Sequence, residues 1–122
     1  MPASRRAGFP TVTPRIVVTD VEGLVRFFRQ VFDAIGSTHP GRPAEVRIGD
    51  SLVMVSRANE RDAFAAFLYI YVDDADLVYG RAIAAGAETL EEPRDTPYGD
   101  RRAMVRDPFG NVFQIAHQLG ET

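Results

Sequence analysis

The pattern that most limits what this chain can fold into occurs twice. A β-branched run, Arg15–Val18, leads to Asp20 and then to apolar residues at Val21, Leu24, Val25, Phe28, Val31 and Phe32. That spacing is one face of an amphipathic helix. Asp20 stands where its side chain can accept from the helix's first free N–H groups, and Glu22 sits in the positive first turn. Later, the aromatic and aliphatic run Phe67–Val72 leads to Asp73 or Asp74. Ala75, Val78, Tyr79, Ala82 and Ala85 then share a helical face, and Gly86 ends it.

Each helix is followed by short strands. In the first half these are Glu45–Ile48 and Leu52–Ser56 about a Gly49-Asp50 turn. In the second they are Glu88–Glu91, Arg101–Arg106 and Val112–His117. The last two are joined by Asp107-Pro108-Phe109-Gly110-Asn111, a run of turn formers with a structural role. The first helix is predicted to stop near Gly36. Pro40, Gly41 and Pro43 mark a loop, as does Pro93–Asp100, and residues 1–10 read as a loose tail. The second half therefore reads strand–helix–strand–strand–strand and the first is matched to the same plan with two of its later strands identified, an internal duplication. Neither half has enough apolar residues to stand alone, so the two must pack together. The expected fold is α+β: one domain over residues 11–118, with modules at about 11–57 and 63–118.

Composition removes several chemistries. There is no cysteine, so disulfides, thiolate metal sites and a cysteine nucleophile are excluded. All 14 basic residues are arginine, which excludes Schiff-base and P-loop lysines. The glycines stand singly, so no loop is built to cradle a phosphate. A net charge of −3 argues against nucleic acid. No apolar run approaches the ~20 residues of a membrane helix, and the first ten residues lack the apolar segment of a signal peptide. A cytoplasmic location away from membranes is expected.

The stretch YGDRRAMVRDPFGNVFQIAHQ resembles the Tyr-Gly-Asp-Arg…Asp-Pro-x-Gly-Asn signature of small proteins in the vicinal oxygen chelate superfamily, which includes glyoxalase I, extradiol dioxygenases and bleomycin-resistance proteins. VVTDVEGLVRFFRQVFDA is similar to that family's first strand and helix, and AEVRIGDSLVMVS to the end of its first module. The resemblance spans residues 11–118. It implies two βαβββ modules whose sheets curl around a cavity, in a homodimer. It also implies four strand positions where the family's metalloenzymes hold a divalent ion. Here those positions fall on Thr13, Val53, Phe67 and Gln114. Valine and phenylalanine offer no lone pair and threonine is a poor ligand for such metals, so no metal or cofactor is expected.

With the metal positions lost, the same places become candidate ligand contacts. Strand alternation puts Phe67, Tyr69 and Tyr71 on one face, and Val53, Val55, Val112, Gln114 and Ala116 are expected to line neighbouring strands. Such a pocket would be apolar and aromatic with few polar handles, suited to a flat organic molecule. Arg101, Arg102 and Arg106, with Asp95 and Asp100, are expected near its rim, where an arginine could hold an anionic group. His39 reads as a solvated loop residue. His117, with parity opposite to Gln114, reads as packed or capping at a strand end. Two functions stay open. One is metal-free binding of a small molecule, as in sequestration of an antibiotic or toxic compound. The other is a glyoxalase-like lyase or isomerase, or another enzyme, working in the same cavity.

Overall fold

The computed structural model describes residues 5–59 and 61–120. The chain runs β1 (Arg15–Val18), α1 (Val21–Phe32), β2 (Ile35–His39), β3 (Arg42–Ile48), β4 (Ser51–Arg57), then β5 (Phe67–Tyr71), α2 (Ala75–Ala84), β6 (Glu88–Asp95), β7 (Asp100–Arg106) and β8 (Val112–Gln118). Each module forms a four-stranded mixed sheet, in the orders β1-β4-β3-β2 and β5-β8-β7-β6. β1 lies parallel to β4, and β5 parallel to β8; the other pairs are antiparallel. Among the described residues no helix is long and apolar enough to cross a membrane.

The caps form as the sequence dictates. The Asp20 carboxylate accepts from Gly23 N at 2.9 Å, and Asp74 from Leu77 N at 3.2 Å. α1 ends where Asp33 turns left-handed at φ 54°. Its inner face, including Leu24, Phe28 and Val31, is fully buried. Each side chain of that size contributes about 1.5–3 kcal/mol when removed from water. The modules join through aromatic rings. Phe113 of β8 lies against Phe27, Phe28 and Phe32 of α1, with centroids 6.0, 5.6 and 6.0 Å away. Val17 also pairs with Phe64 of the connecting segment. One core therefore serves both halves, with one face of each sheet turned into it.

Three expectations about the chain's path are corrected. The stretch after α1 is not all loop, because β2 starts three residues past the helix and pairs with β3. Gly36 makes that pairing possible: a Cβ there would run into the Glu45 carbonyl oxygen and sit 3.0 Å from Val46 Cα. Proline does not end β6, which continues through Pro93 to Asp95. β6 is an edge strand with register shifts, where a missing N–H is tolerated. Residues 5–10 have no regular structure but touch the first sheet, through Arg6–Glu45 at 3.5 Å and Arg47 to the Gly8 carbonyl at 3.4 Å. The first four residues of the expected tail lie outside the described residues.

The turn between β7 and β8 is a closed hydrogen-bond knot. Asp107, 3% exposed, accepts Phe109 N and Asn111 N on Oδ1 (2.9 and 2.8 Å) and Asn111 Nδ2 on Oδ2 (2.9 Å). Asn111 is fully buried, and its Oδ1 accepts Ala66 N at 3.0 Å. The knot thereby fixes the approach to β5.

Candidate functional site

The second sheet has one face in the core and one open. Leu68, Ile70, Val105, Phe113 and Ile115 face inward. The register then places Phe67, Tyr69 and Tyr71 of β5 beside Val112, Gln114 and Ala116 of β8 on the open face. Arg106, Met104, Arg102 and Asp100 of β7 continue it. Phe67 and Tyr71 are 66% and 65% exposed and Tyr69 is 38% exposed. The Tyr69 and Tyr71 rings lie 5.3 Å apart, inclined by 59°. Four of the expected contacts, Phe67, Tyr69, Tyr71 and Gln114, are thus brought together.

Their polar ends converge on Asp100, which is 4% exposed. Tyr69 and Tyr71 both donate to its Oδ2, at 2.6 and 2.8 Å. The β6–β7 turn holds Asp100 in place. Its backbone N–H donates to Thr96 Oγ1 at 3.1 Å, and its carbonyl accepts Thr96 N at 2.7 Å and Thr96 Oγ1 at 2.9 Å. Tyr98, at the turn's tip, has its hydroxyl 3.3 Å from that of Tyr69 and accepts from Arg102 at 3.0 Å. Arg102 also donates to Glu91 at 2.6 Å. Burial, then the bond to Asp100, pushes the Tyr69 phenol up; that bond first, then burial, does so for Tyr71. The Tyr98 phenol is held below its usual range by its hydrogen bond with Tyr69, with Arg102 adding to the effect.

Three expected contacts lie off this face. Val53 is 5% exposed and packs in the core beneath α1, as does Val55, though Val53 also lines the groove that Tyr69 and Tyr71 border. Thr13 precedes β1 of the other sheet, where its hydroxyl donates to the Pro10 carbonyl at 3.4 Å. Arg101 has parity opposite to Asp100 and Arg102, so it turns to the helix side. There it grips Asp76 of α2 at 2.7 and 3.1 Å and Asp95 at 3.0 Å. It ties α2 to β7 and is absent from the open face. His117 lies on that inner side too, its Nδ1 accepting from Ala75 N at the start of α2 (2.8 Å). His39 stands at the exposed end of β2. The role of Asp100 as acceptor for two phenols was not foreseen; its parity with Arg102 was the only available signal.

The donor set does not fit a divalent metal at the four positions the resemblance implied. Val53 is turned into the core, Phe67 has no lone pair, and among the described residues no three His, Cys, Asp or Glu side chains are grouped to hold an ion. Tyr69 and Tyr71 also border a groove of about 650 Å³ along the free edge of β5, between the end of α1 and the start of α2. Its walls include Phe32, Ile48, Leu68, Ile70 and Leu77. A volume of that order suits a small organic molecule.

Comparison with known proteins agrees with this geometry. An uncharacterized protein of Mycobacterium bovis, Mb0911c, is 25% identical over 130 aligned positions, covering 92% of this chain and 86% of that protein. The crystal structure of TioX from Micromonospora sp. ML1 superimposes with a TM-score of 0.76 at 24% identity, covering 90% of this chain and 99% of TioX. A glyoxalase/bleomycin resistance protein/dioxygenase family enzyme from Burkholderia phytofirmans PsJN gives 0.74 at 25% identity, with 86% and 95% covered. The profile of one family matches residues 9–115, and with both sheets and both helices in that arrangement the chain belongs to the glyoxalase/bleomycin resistance protein/dioxygenase superfamily.

Proposed function

We propose that this chain is a metal-free binding protein for a small planar organic molecule, held on the open aromatic face of the second sheet and covered there by a second copy of the chain. The observation that carries the reading is the exposure of Phe67, Tyr69 and Tyr71 in a row, backed by Gln114 and bordered by an apolar groove. Aromatic surface of this extent is costly to leave in water and is the usual mark of a ligand or partner site. Tyr98, also exposed and beside the Tyr69 hydroxyl, adds to the surface a second copy would cover. Sequestration of an antibiotic or toxic compound is the matching biological role, and we place it in the cytoplasm, in keeping with a chain that lacks cysteine.

One observation favours a second reading, a lyase or isomerase on the same face. Tyr98 is an exposed phenol held below its usual range and linked through Tyr69 to Asp100, which suits proton transfer. The two readings separate on Tyr98→Phe. Binding requires that a compound captured from cell extract, identified by native mass spectrometry, is released unchanged and is held by this variant. Turnover that disappears in Tyr98→Phe would establish the enzyme instead. Elemental analysis of protein purified without a metal-affinity tag should find no stoichiometric Zn, Ni, Mn or Fe; one tightly held ion per chain would overturn the metal-free assignment. Light scattering should give about twice 13.5 kDa.

A further inference from the structure

We infer that the open face selects a planar aromatic cation, and that the paired phenols on Asp100 are what make it do so. The inference rests on the binding reading above and names its ligand class. A phenol has one proton. Tyr69 and Tyr71 each give theirs to Asp100 Oδ2, at 2.6 and 2.8 Å. Toward the open face the Tyr71 oxygen therefore presents lone pairs and no hydrogen, while the Tyr69 oxygen, its proton spent on Asp100, accepts from the Tyr98 hydroxyl 3.3 Å away. An anionic group meets acceptors where it needs donors.

The charges around the phenols point the same way. No ion pair among the described residues includes Asp100. The two arginines that follow it in sequence are engaged with other carboxylates: Arg101 with Asp76 and Asp95 on the inner side, Arg102 with Glu91. Arg102 is moreover only 12% exposed in its side chain, so it offers little to a ligand. The negative charge of Asp100 is thus passed outward through two hydrogen-bonded phenols. Donation to a carboxylate makes each ring more electron-rich, which deepens the negative potential over its face. Two such faces, 5.3 Å apart and inclined, form adjoining walls for a flat cation. The neighbouring groove repeats the sign: Asp33, Asp50, Asp73 and Asp74 border it against one cation, Arg81, already 3.3 Å from Asp33. An arginine clamp for an anion, expected from Arg101 in the sequence, is replaced by an acceptor-lined aromatic notch.

The test compares three flat probes of similar size by titration calorimetry on the full chain at pH 7.5: N-methylquinolinium, neutral quinoline and anionic 2-naphthoate. The quinolinium should bind about ten-fold tighter than quinoline, with naphthoate weakest. Asp100→Asn should bring the quinolinium down to the level of quinoline while leaving quinoline within about two-fold. Tyr71→Phe keeps the ring, removes one acceptor and leaves a hydroxyl-free strand position, so it serves if Asp100→Asn melts early. It should cost the cation several-fold and quinoline little. Tyr71→Ala should weaken both. Quinoline or naphthoate binding as tightly as the quinolinium overturns the cation class and leaves the aromatic face standing. Quinolinium binding unchanged in both Asp100→Asn and Tyr71→Ala overturns the inference together with the face as the site. No binding by any probe at millimolar concentration overturns both as well.

Discussion

Replacing Asp107 by alanine is the most informative perturbation of this fold. The carboxylate accepts three hydrogen bonds at 2.8–2.9 Å, and two of the donors belong to Asn111, which is fully buried. Water cannot replace those two acceptors without opening the turn. An orphaned buried donor costs about 1–3 kcal/mol, while Phe109 N, nearer the surface, can find solvent. Removing a buried carboxylate returns part of this, leaving a loss of about 3 kcal/mol. Unfolding entropies of about 2.1 cal/mol/K per residue, over 122 residues, make each kcal/mol worth about 4 °C, so the melting temperature should fall by about 12 °C. Asp107→Asn keeps an oxygen for the two backbone N–H groups but sets its own NH2 against Asn111 Nδ2, so a buried donor loses its acceptor and a second donor is added. It should also destabilise the fold, by about 1–3 kcal/mol. Denaturant unfolding at neutral pH measures both. A loss under about 1 kcal/mol for Asp107→Ala would refute the assignment of the knot to Asp107. A pH series adds a sign. Burial holds this carboxyl above its ordinary value of 3.8, against the hydrogen bonds from Asn111 and Phe109. A carboxyl raised on folding contributes its proton-linked stability below the unfolded value and loses it as pH rises through the folded one. Relative to Asp107→Asn, the native protein should therefore gain stability as pH falls toward 3.8; the opposite slope would contradict the burial argument.

Other perturbations separate structure from binding. Gly36→Ala should destabilise by about 1–3 kcal/mol, because its methyl group meets β3 backbone; an unchanged denaturation midpoint would mean the strands part easily. Gly110→Val has open space around its Cβ but sits at φ +97°, so it should cost about 1–3 kcal/mol through backbone strain, checked by the same unfolding curves. Arg101→Met should lower thermal stability and leave probe affinity unchanged; a specific loss of binding would return Arg101 to the site. Tyr71→Ala should leave the melting temperature near native while weakening a planar ligand several-fold, read by quenching of the remaining tyrosine fluorescence in this tryptophan-free chain.

The helices, their caps and the β7–β8 turn were legible in the sequence because each depends on neighbours within a few residues. Asp20 and Asp74 find N–H groups three positions away, and Asp107 finds Asn111 four away. The shared face of Phe67, Tyr69 and Tyr71 follows from strand alternation alone. The face that Val53 takes does not. Leu52-Val53-Met54-Val55 is apolar throughout, so alternation carries no sign, and only α1 covering one side of β4 turned Val53 inward. β2 was hidden because Ile35-Gly36-Ser37-Thr38-His39 lacks a strand's composition; the edge of β3 supplies the hydrogen bonds that make it one. Arg101 and Arg102 are adjacent and chemically alike. The carboxylates that separate them, Asp76 and Asp95 on one side of the sheet and Glu91 on the other, arrive from α2 and β6. Asp100 receives its two phenols across a sheet whose register no local signal encodes, since pairing between β5, β8 and β7 is set by burial of their other face.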